Sequence, residues 1–292
     1  MAELCKNDQP QWIVVSWTAS VTEPIGKQLH ESVINNFNFE YLYDFFFDPV
    51  KVKGKPYQSL RPPLYKEAVV VMGASDASKK NATDKKIHFF EDFSTTAIGK
   101  NPVGWRTVMD AKGATGTVTK LDGLNGNWVT GNFPMTPNKL TKPLPQDFTF
   151  SYELVALQNF TWGARGLTVQ LSKETTAGNA ESFLKLKLKP GYDGRDGEAE
   201  LETNFPAPPG YLNGSKWLIA KGFSNNKKNN RITVTIKKLE ETLQVFIDNN
   251  KIAEYEKAIP AAHLFNSVSF NGGGGDGVND RFYISNIKIT KE

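Results

Sequence analysis

The 292-residue chain contains one cysteine, Cys5, and only three histidines, His30, His88 and His263. A single thiol cannot form an intrachain disulfide, and it excludes a zinc site built from several cysteines. The three histidines are far apart in the sequence and fit no metal-binding spacing such as HExxH. No serine–histidine–aspartate or cysteine–histidine arrangement indicates a nucleophilic enzyme.

Long apolar runs and a strong excess of one charge are also lacking. No stretch approaches the roughly 18 apolar residues of a membrane-spanning helix, so we expect no membrane span. The net charge of +4 is small and thinly spread, so we expect no nucleic-acid partner. The N-terminus lacks the basic-then-apolar pattern of a secretory signal. We therefore expect either a chain that is cytoplasmic as synthesised, or an extracellular or envelope protein that belongs to a particle or has been processed.

From Phe89 onward the chain consists of short runs that alternate apolar and polar residues. Residues 148–154 (FTFSYEL) and 232–236 (ITVTI) place an apolar side chain at every second position, and residues 183–189 (FLKLKLK) place lysines on one face. One buried and one wet face per strand is typical of an antiparallel sandwich. We predict that residues 88–292 form an all-β antiparallel sandwich domain.

Residues 1–87 are predicted to form a separate N-terminal docking or extension region. Residues 11–19 and 68–72 have the pattern of strands, and residues 24–36 have that of a short helix. The polar segment 74–86 is predicted to be a flexible linker that ends at the domain boundary.

The densest aromatic cluster lies in this N-terminal region, with seven aromatic residues between positions 37 and 47. Six of them occupy alternate positions, which would share one face of a strand; a helix remains the alternative. A patch of this kind must be covered, either by the sandwich of the same chain or by another protein. The candidate docking residues are Phe37, Phe39, Tyr41, Tyr43, Phe45 and Phe47.

Motifs at both ends of residues 89–292 resemble those of concanavalin A-like and laminin G-like jelly rolls. The segments FFEDF (89–93) and GKNPVGW (99–105) are similar to the opening of such modules, and residues 231–255 and 280–289 resemble their closing strands. Similar modules occur in Bacteroidetes-type envelope proteins. The resemblance implies a jelly-roll fold, which hosts lectins, adhesion modules and glycosidases. Residues 1–88 resemble no family.

Three glutamates, Glu198, Glu200 and Glu202, alternate along one predicted strand and therefore share a face. Jelly-roll glycosidases similar to family 16 carry E-x-D-x-E there, which by resemblance would make Glu198 the nucleophile and Glu202 the acid/base. Glu200 replaces the middle aspartate. The alternative is a solvated face whose glutamates pair with the lysines of residues 183–189. We expect that the chain is not an enzyme. If it is one, Glu198 and Glu202 are the candidate catalytic pair.

Aromatic residues near predicted turns are candidates for binding carbohydrate, because apolar sugar faces stack on such rings. The candidates are Trp162, Tyr192, Tyr211 and Trp217. The alternative is that these rings close the ends of the sandwich, with Trp217 in the core. Trp105 and Trp128 are predicted to lie in the core.

The glycine-rich segment 272–280 (GGGGDGVND) offers oxygen ligands of the kind that Ca²⁺ prefers. The candidate ligands are Asp276, Asn279 and Asp280; the alternative is a plain hairpin loop. No other cofactor is expected.

These observations favour a non-catalytic binding or attachment protein whose jelly roll recognises a glycan or a protein surface. The first alternative is a structural component of an envelope, phage or phage-like particle, docked through residues 1–88 onto other protein chains. The second is a glycoside hydrolase that uses Glu198 and Glu202.

Overall fold

The computed structural model describes residues 37–58, 75–108, 115–138, 140–161, 163–175, 180–272 and 280–292, with the single positions 30, 34, 35 and 60. The chain divides into two compact units, residues 1–68 and 69–292. The strands predicted at 11–19 and 68–72 lie outside the described residues. Of the helix predicted at 24–36, only His30, Ile34 and Asn35 are described, and all three are helical.

Within residues 37–58 of the first unit, the chain forms two short helices, α1 (Phe39–Phe47) and α2 (Pro49–Val52). Asn38 caps the start of α1, because its side-chain oxygen accepts a hydrogen bond of 2.8 Å from the amide of Tyr41. Pro49 suits the first turn of α2, where its missing amide would have no helical partner. The aromatic run is thus helical, so its rings do not share the single face that a strand would give them.

A third helix, α3 (Asp76–Thr83), occupies the segment predicted to be a flexible linker, so that prediction is wrong. Ser75 caps the helix by accepting a hydrogen bond from the amide of Ser78 at 3.0 Å. The hydroxyls of Ser75 and Ser78 also donate to the carboxylate of Asp92. This anchor to the sheet domain stabilises a helix of only eight residues, which would be marginal alone. No helix in the described ranges is long and apolar enough to cross a membrane.

The rest of the second unit is built from strands. Those described are β1 (Ile87–Glu91), β2 (Trp105–Thr107), β3 (Val118–Thr119), β4 (Trp128–Thr130), β5 (Met135–Pro137), β6 (Phe148–Leu157), β7 (Leu167–Glu174), β8 (Ala180–Lys189), β9 (Gly197–Asn204), β10 (Gly214–Ala220), β11 (Asn229–Leu239), β12 (Thr242–Ile247), β13 (Asn250–Tyr255), β14 (Ser267–Gly272) and β15 (Phe282–Lys291).

The strands form two antiparallel sheets. The eight-stranded sheet has the order β13-β12-β11-β6-β15-β4-β3, with β1 paired to β15; the seven-stranded sheet has the order β10-β9-β8-β7-β14-β5-β2. The chain repeatedly crosses between the sheets, as after β6, β10, β13 and β14. This is a jelly-roll sandwich, and the predicted all-β fold class is confirmed.

The core lies between the two sheets and is rich in aromatic residues. Phe150 and Tyr152 of β6 pack against Phe270 of β14 across the sandwich, with ring centroids 6.3 and 5.3 Å apart. Trp105 is buried beside the same Phe270, and Trp128 is buried in a smaller apolar cluster with Val155, as predicted for both tryptophans. Because the main cluster fills the inner face of each sheet, the outer face of the seven-stranded sheet is left to side chains that are not part of the core.

Candidate functional site

The outer face of the seven-stranded sheet carries the predicted charged side chains. On β8, Leu184, Leu186 and Leu188 are buried while the lysines between them point away from the core. On β9, Ala199 and Leu201 are buried while the glutamates between them point away. Strand alternation therefore brings a row of lysines beside a row of glutamates.

The register of β8 and β9 sets these rows in opposite-charge pairs, with Lys185 opposite Glu202, Lys187 opposite Glu200 and Lys189 opposite Glu198. The ammonium of Lys185 lies 3.4 Å from a carboxylate oxygen of Glu202, and that of Lys187 lies 3.5 Å from one of Glu200. The pairing proposed as the alternative to a catalytic site is thus confirmed for Glu200 and Glu202. Partly exposed pairs of this kind contribute about 0.2–1 kcal/mol each to stability.

Strand β10 extends the same face with apolar side chains. Trp217 lies opposite Glu200 and Ile219 lies opposite Glu198 in the β9–β10 pair. Trp217 is 67% exposed and Ile219 is 68% exposed, whereas Leu218 between them packs against the core. The alternative that placed Trp217 in the core is therefore wrong, and its indole is presented to solvent next to Glu200.

A shallow depression lies in front of Trp217. Its volume is about 210 Å³, and its walls are Trp217, Glu198, Glu200, Lys187, Lys189 and residues 164–166. Gly166 permits this arrangement, because a Cβ atom there would lie 2.5 Å from the carbonyl oxygen of Leu188. The loop before β7 thus approaches β8 closely enough to form one wall of the depression.

The depression is lined by both apolar and charged side chains. The indole of Trp217 offers an apolar plane, Glu198 and Glu200 offer acceptors, and Lys187 and Arg165 offer donors. The arrangement suits a ligand that has one apolar face and several hydroxyl groups around its edge.

Asn225 joins three loops at the Glu198 end of this face. Its side-chain amide donates to the carbonyl of Phe160 at 3.0 Å and accepts from the amide of Asp193 at 3.2 Å, while its own carbonyl accepts from the amide of Asn159 at 3.1 Å. Asn225 is buried, so these bonds are protected from water. The sequence gives no sign of this role for Asn225, because an asparagine in a polar turn carries no signal of a long-range partner.

The predicted loop aromatics do not all meet at the depression. Tyr192 is 56% exposed in the loop between β8 and β9, which begins just after Lys189. Tyr211 lies beyond the opposite end of β9, and its hydroxyl donates to the carboxylate of Glu241, which raises the pKa of that hydroxyl. Trp162 lies outside the described residues, although Ala164, two positions later, lines the depression.

Asp280, one of the three calcium candidates, links the segment before β15 to the loop before β7. Its side chain is only 3% exposed and accepts a 2.6 Å hydrogen bond from the amide of Thr161. Asp276 and Asn279 lie outside the described residues. Within the described ranges, no group of three or more histidine, cysteine, aspartate or glutamate side chains is arranged to hold a metal ion. The calcium site remains a prediction.

The aromatic docking candidates fall into two groups on and around α1. Phe39, Tyr43 and Phe45 are exposed, as is Phe46, which was not among the candidates. Phe37, Tyr41 and Phe47 are half-buried, and the hydroxyl of Tyr41 donates to the carbonyl of Lys55 at 2.8 Å.

No protein-family model and no curated protein sequence matches the chain. Solved structures similar to it include a laminarinase from Flavobacterium sp. UMI-01, with 11% identity over 70% of this chain and 100% of that one and a TM-score of 0.46. A glycoside hydrolase family 16 endo-glucanase from Bacteroides ovatus has 15% identity, the same two coverages and a TM-score of 0.45. The carbohydrate-binding module CBM66 from Bacillus subtilis has 10% identity over 64% of this chain and 96% of that one, with a TM-score of 0.38. At these values no binding or catalytic property carries over.

Proposed function

We propose that the chain is a non-catalytic glycan-binding protein and that the depression in front of Trp217 is its binding site. The observation that carries the proposal is the exposed indole of Trp217, held beside Glu200 on the outer face of the sheet. Sugar rings have one apolar face, which stacks on an aromatic plane, and hydroxyl groups at the rim, which bond to charged side chains.

The strand that carries the indole is held against the sandwich. Leu218 packs against the core and Ala220 is fully buried, so β10 is fastened to the sandwich on the side opposite Trp217. Ile219 enlarges the exposed apolar surface on the same face of the strand. Contiguous apolar groups that remain exposed on a rigid strand are typical of a binding surface.

The paired glutamates favour binding over catalysis. A retaining glycosidase needs two carboxyl groups about 5–5.5 Å apart, one of them held protonated. The carboxylate of Glu202, the candidate acid/base, is instead paired with the ammonium of Lys185 at 3.4 Å. Glu200, where the glycosidases have a shorter aspartate, bonds to Lys187.

A glycan array tests the proposal. The wild-type chain is expected to bind a defined subset of glycans, and Trp217→Ala is expected to lose that binding. Ile98→Ala is the matched control, because it truncates another exposed apolar side chain that does not line the depression. Equal binding by wild type and Trp217→Ala would reject the proposed site, and measurable hydrolysis of a bound glycan would reject the non-catalytic assignment.

A second candidate function rests on α1. The exposed rings of Phe39, Tyr43, Phe45 and Phe46 form the kind of aromatic surface found at protein interfaces. They favour a role as an assembly component that docks onto other protein chains. Sedimentation velocity tests docking between copies of this chain: association that is lost in Tyr43→Ser and retained in Lys53→Ser supports it, and a monomer at every concentration excludes self-assembly through α1.

A further inference from the structure

A second depression opens on the seven-stranded sheet, beyond β7 from the first. Its volume is about 280 Å³, and its walls come from β2, β5, the end of β7 and the start of β14. The side chains used below are Arg106, Thr136, Glu174, Asn266 and Ser267.

Ser267 marks this depression as a place for a ligand. It is only 5% exposed, and its hydroxyl has no hydrogen-bond partner. Because Val268 and Phe270 of the same strand point into the core, alternation turns Ser267 to the outer side, where it lines the depression. A buried hydroxyl without a partner costs free energy, and a polar ligand group in the depression would remove that cost.

Arg106 supplies a cation at the other wall. It lies opposite Thr136 in the pair of β2 and β5, is exposed, and makes no ion pair with any described residue. A guanidinium offers two parallel donors, whose geometry matches a carboxylate. The arginine is therefore available for an anionic group of a ligand.

Glu174 is fixed on β7, on the other side of Ser267 from Arg106. The side chain of Asn266 accepts from the amide of Glu174 at 2.7 Å and donates to its carbonyl at 2.9 Å. The carboxylate of Glu174 accepts from the hydroxyl of Ser172 at 3.3 Å. A wall held in place by this many bonds loses little entropy when a ligand binds.

We propose that this depression binds a hydroxylated carboxylic acid of the sugar-acid class, with its carboxylate on Arg106 and its hydroxyls on Ser267 and Glu174. The site is separate from the one in front of Trp217. Gly166 lines the first depression and Glu174 lines the second. These residues stand eight positions apart along an extended segment, about 26 Å, so one monosaccharide cannot fill both sites. The proposal does not depend on the proposed function.

Isothermal titration of the full chain with sodium glucuronate, and with glucose as the uncharged counterpart, tests this site. Glucuronate is expected to bind and glucose to bind at least about tenfold more weakly. Arg106→Gln is expected to weaken glucuronate binding by a similar factor, and Ser267→Ala to weaken it to a smaller extent. Arg165→Gln is the matched control, since Arg165 lines the other depression, and it should bind as wild type does.

The outcomes separate the two sites. Glucuronate binding that survives Trp217→Ala and fails in Arg106→Gln supports the second site, whatever the glycan array shows. Absent glucuronate binding, equal binding of glucose, or loss in Trp217→Ala with retention in Arg106→Gln would overturn the proposal. Ser267→Ala removes a buried hydroxyl that has no partner, so a melting temperature equal to or above that of the wild type is expected and verifies that this variant folds.

Discussion

Trp217 and Glu200 lie directly opposite each other in the antiparallel pair of β10 and β9, and Lys187 follows on the other side of Glu200. An exposed indole, a carboxylate and an ammonium thus form one row across three strands. The row exists because all three side chains alternate away from a core that Leu186, Leu201 and Leu218 secure from the other face.

Removing the charge pair within the depression should affect binding far more than stability. In Lys187→Met the carboxylate of Glu200 loses its 3.5 Å partner, and we expect a loss of at most about 1 kcal/mol in unfolding free energy. Glycan affinity should fall, because a donor at the rim is lost. Lys185→Met is the control: it breaks the equivalent pair with Glu202 outside the depression. Equal loss of affinity in both variants would contradict the account.

Adding a methyl group at Gly166 should deform the depression. The new Cβ atom would lie 2.5 Å from the carbonyl oxygen of Leu188, so the loop before β7 must move. We expect Gly166→Ala to cost about 1–3 kcal/mol in urea unfolding and to weaken glycan binding. Gly163→Ala is the matched control, since a Cβ atom there meets nothing within 4 Å. If the two variants behave alike, the close approach at Gly166 does not matter.

Loss of the Asn225 side chain should loosen the loops at the end of the site. Asn225→Ala leaves the carbonyl of Phe160 and the amide of Asp193 without their partner. We expect a cost of about 1–3 kcal/mol and faster hydrogen exchange in both loops. Unchanged exchange at Asp193 would show that Asn225 does not hold the loops.

Asp92 should make stability depend on acid pH. Burial raises the pKa of its carboxyl, but hydrogen bonds from Ser75, Ser94 and Ser78 outweigh burial and hold this pKa below its ordinary value. A carboxyl whose pKa is lower in the folded state stabilises the fold above its unfolded pKa of about 3.9. That contribution is lost as the pH falls through the folded pKa.

Urea unfolding across this pH range checks the prediction. We expect Asp92→Asn to remove part of the acid-induced loss of stability and to release α3 from the sheet. Asp76→Asn, an exposed carboxylate in the first turn of α3, serves as the control. An identical pH dependence in wild type and Asp92→Asn would exclude this role for Asp92.

The sandwich and its charged face were predictable because apolar and polar residues alternate along each strand in the sequence. The run FLKLKLK at 183–189 gives both the buried leucines and the outward lysines, and the glutamates of β9 follow the same rule. Whether the indole of Trp217 points inward or outward depended on the register of β10, which the three consecutive apolar residues 217–219 do not determine.

Other features were missed because their causes lie elsewhere in the chain or in the helix caps. The aromatic alternation at 37–47 suggested a strand, while the deciding signals were the cap at Asn38 and the break at Pro49. The polar composition of the segment around α3 predicted a linker. It could not reveal the anchor to Asp92, which is 17 residues from Ser75. The bonds of Asn225 to Phe160 and the unpartnered hydroxyl of Ser267 are tertiary facts without a local pattern.

In the proposed binding site, a sugar ring stacks on the indole of Trp217. The most direct measurement is the proton–nitrogen correlation spectrum of the indole N–H groups during titration with a glycan selected on the array, with the Trp217 signal assigned by Trp217→Phe. We predict that the Trp217 signal shifts while those of the buried Trp105 and Trp128 stay in place. Saturated glycan binding with an unmoved Trp217 signal would contradict the claim.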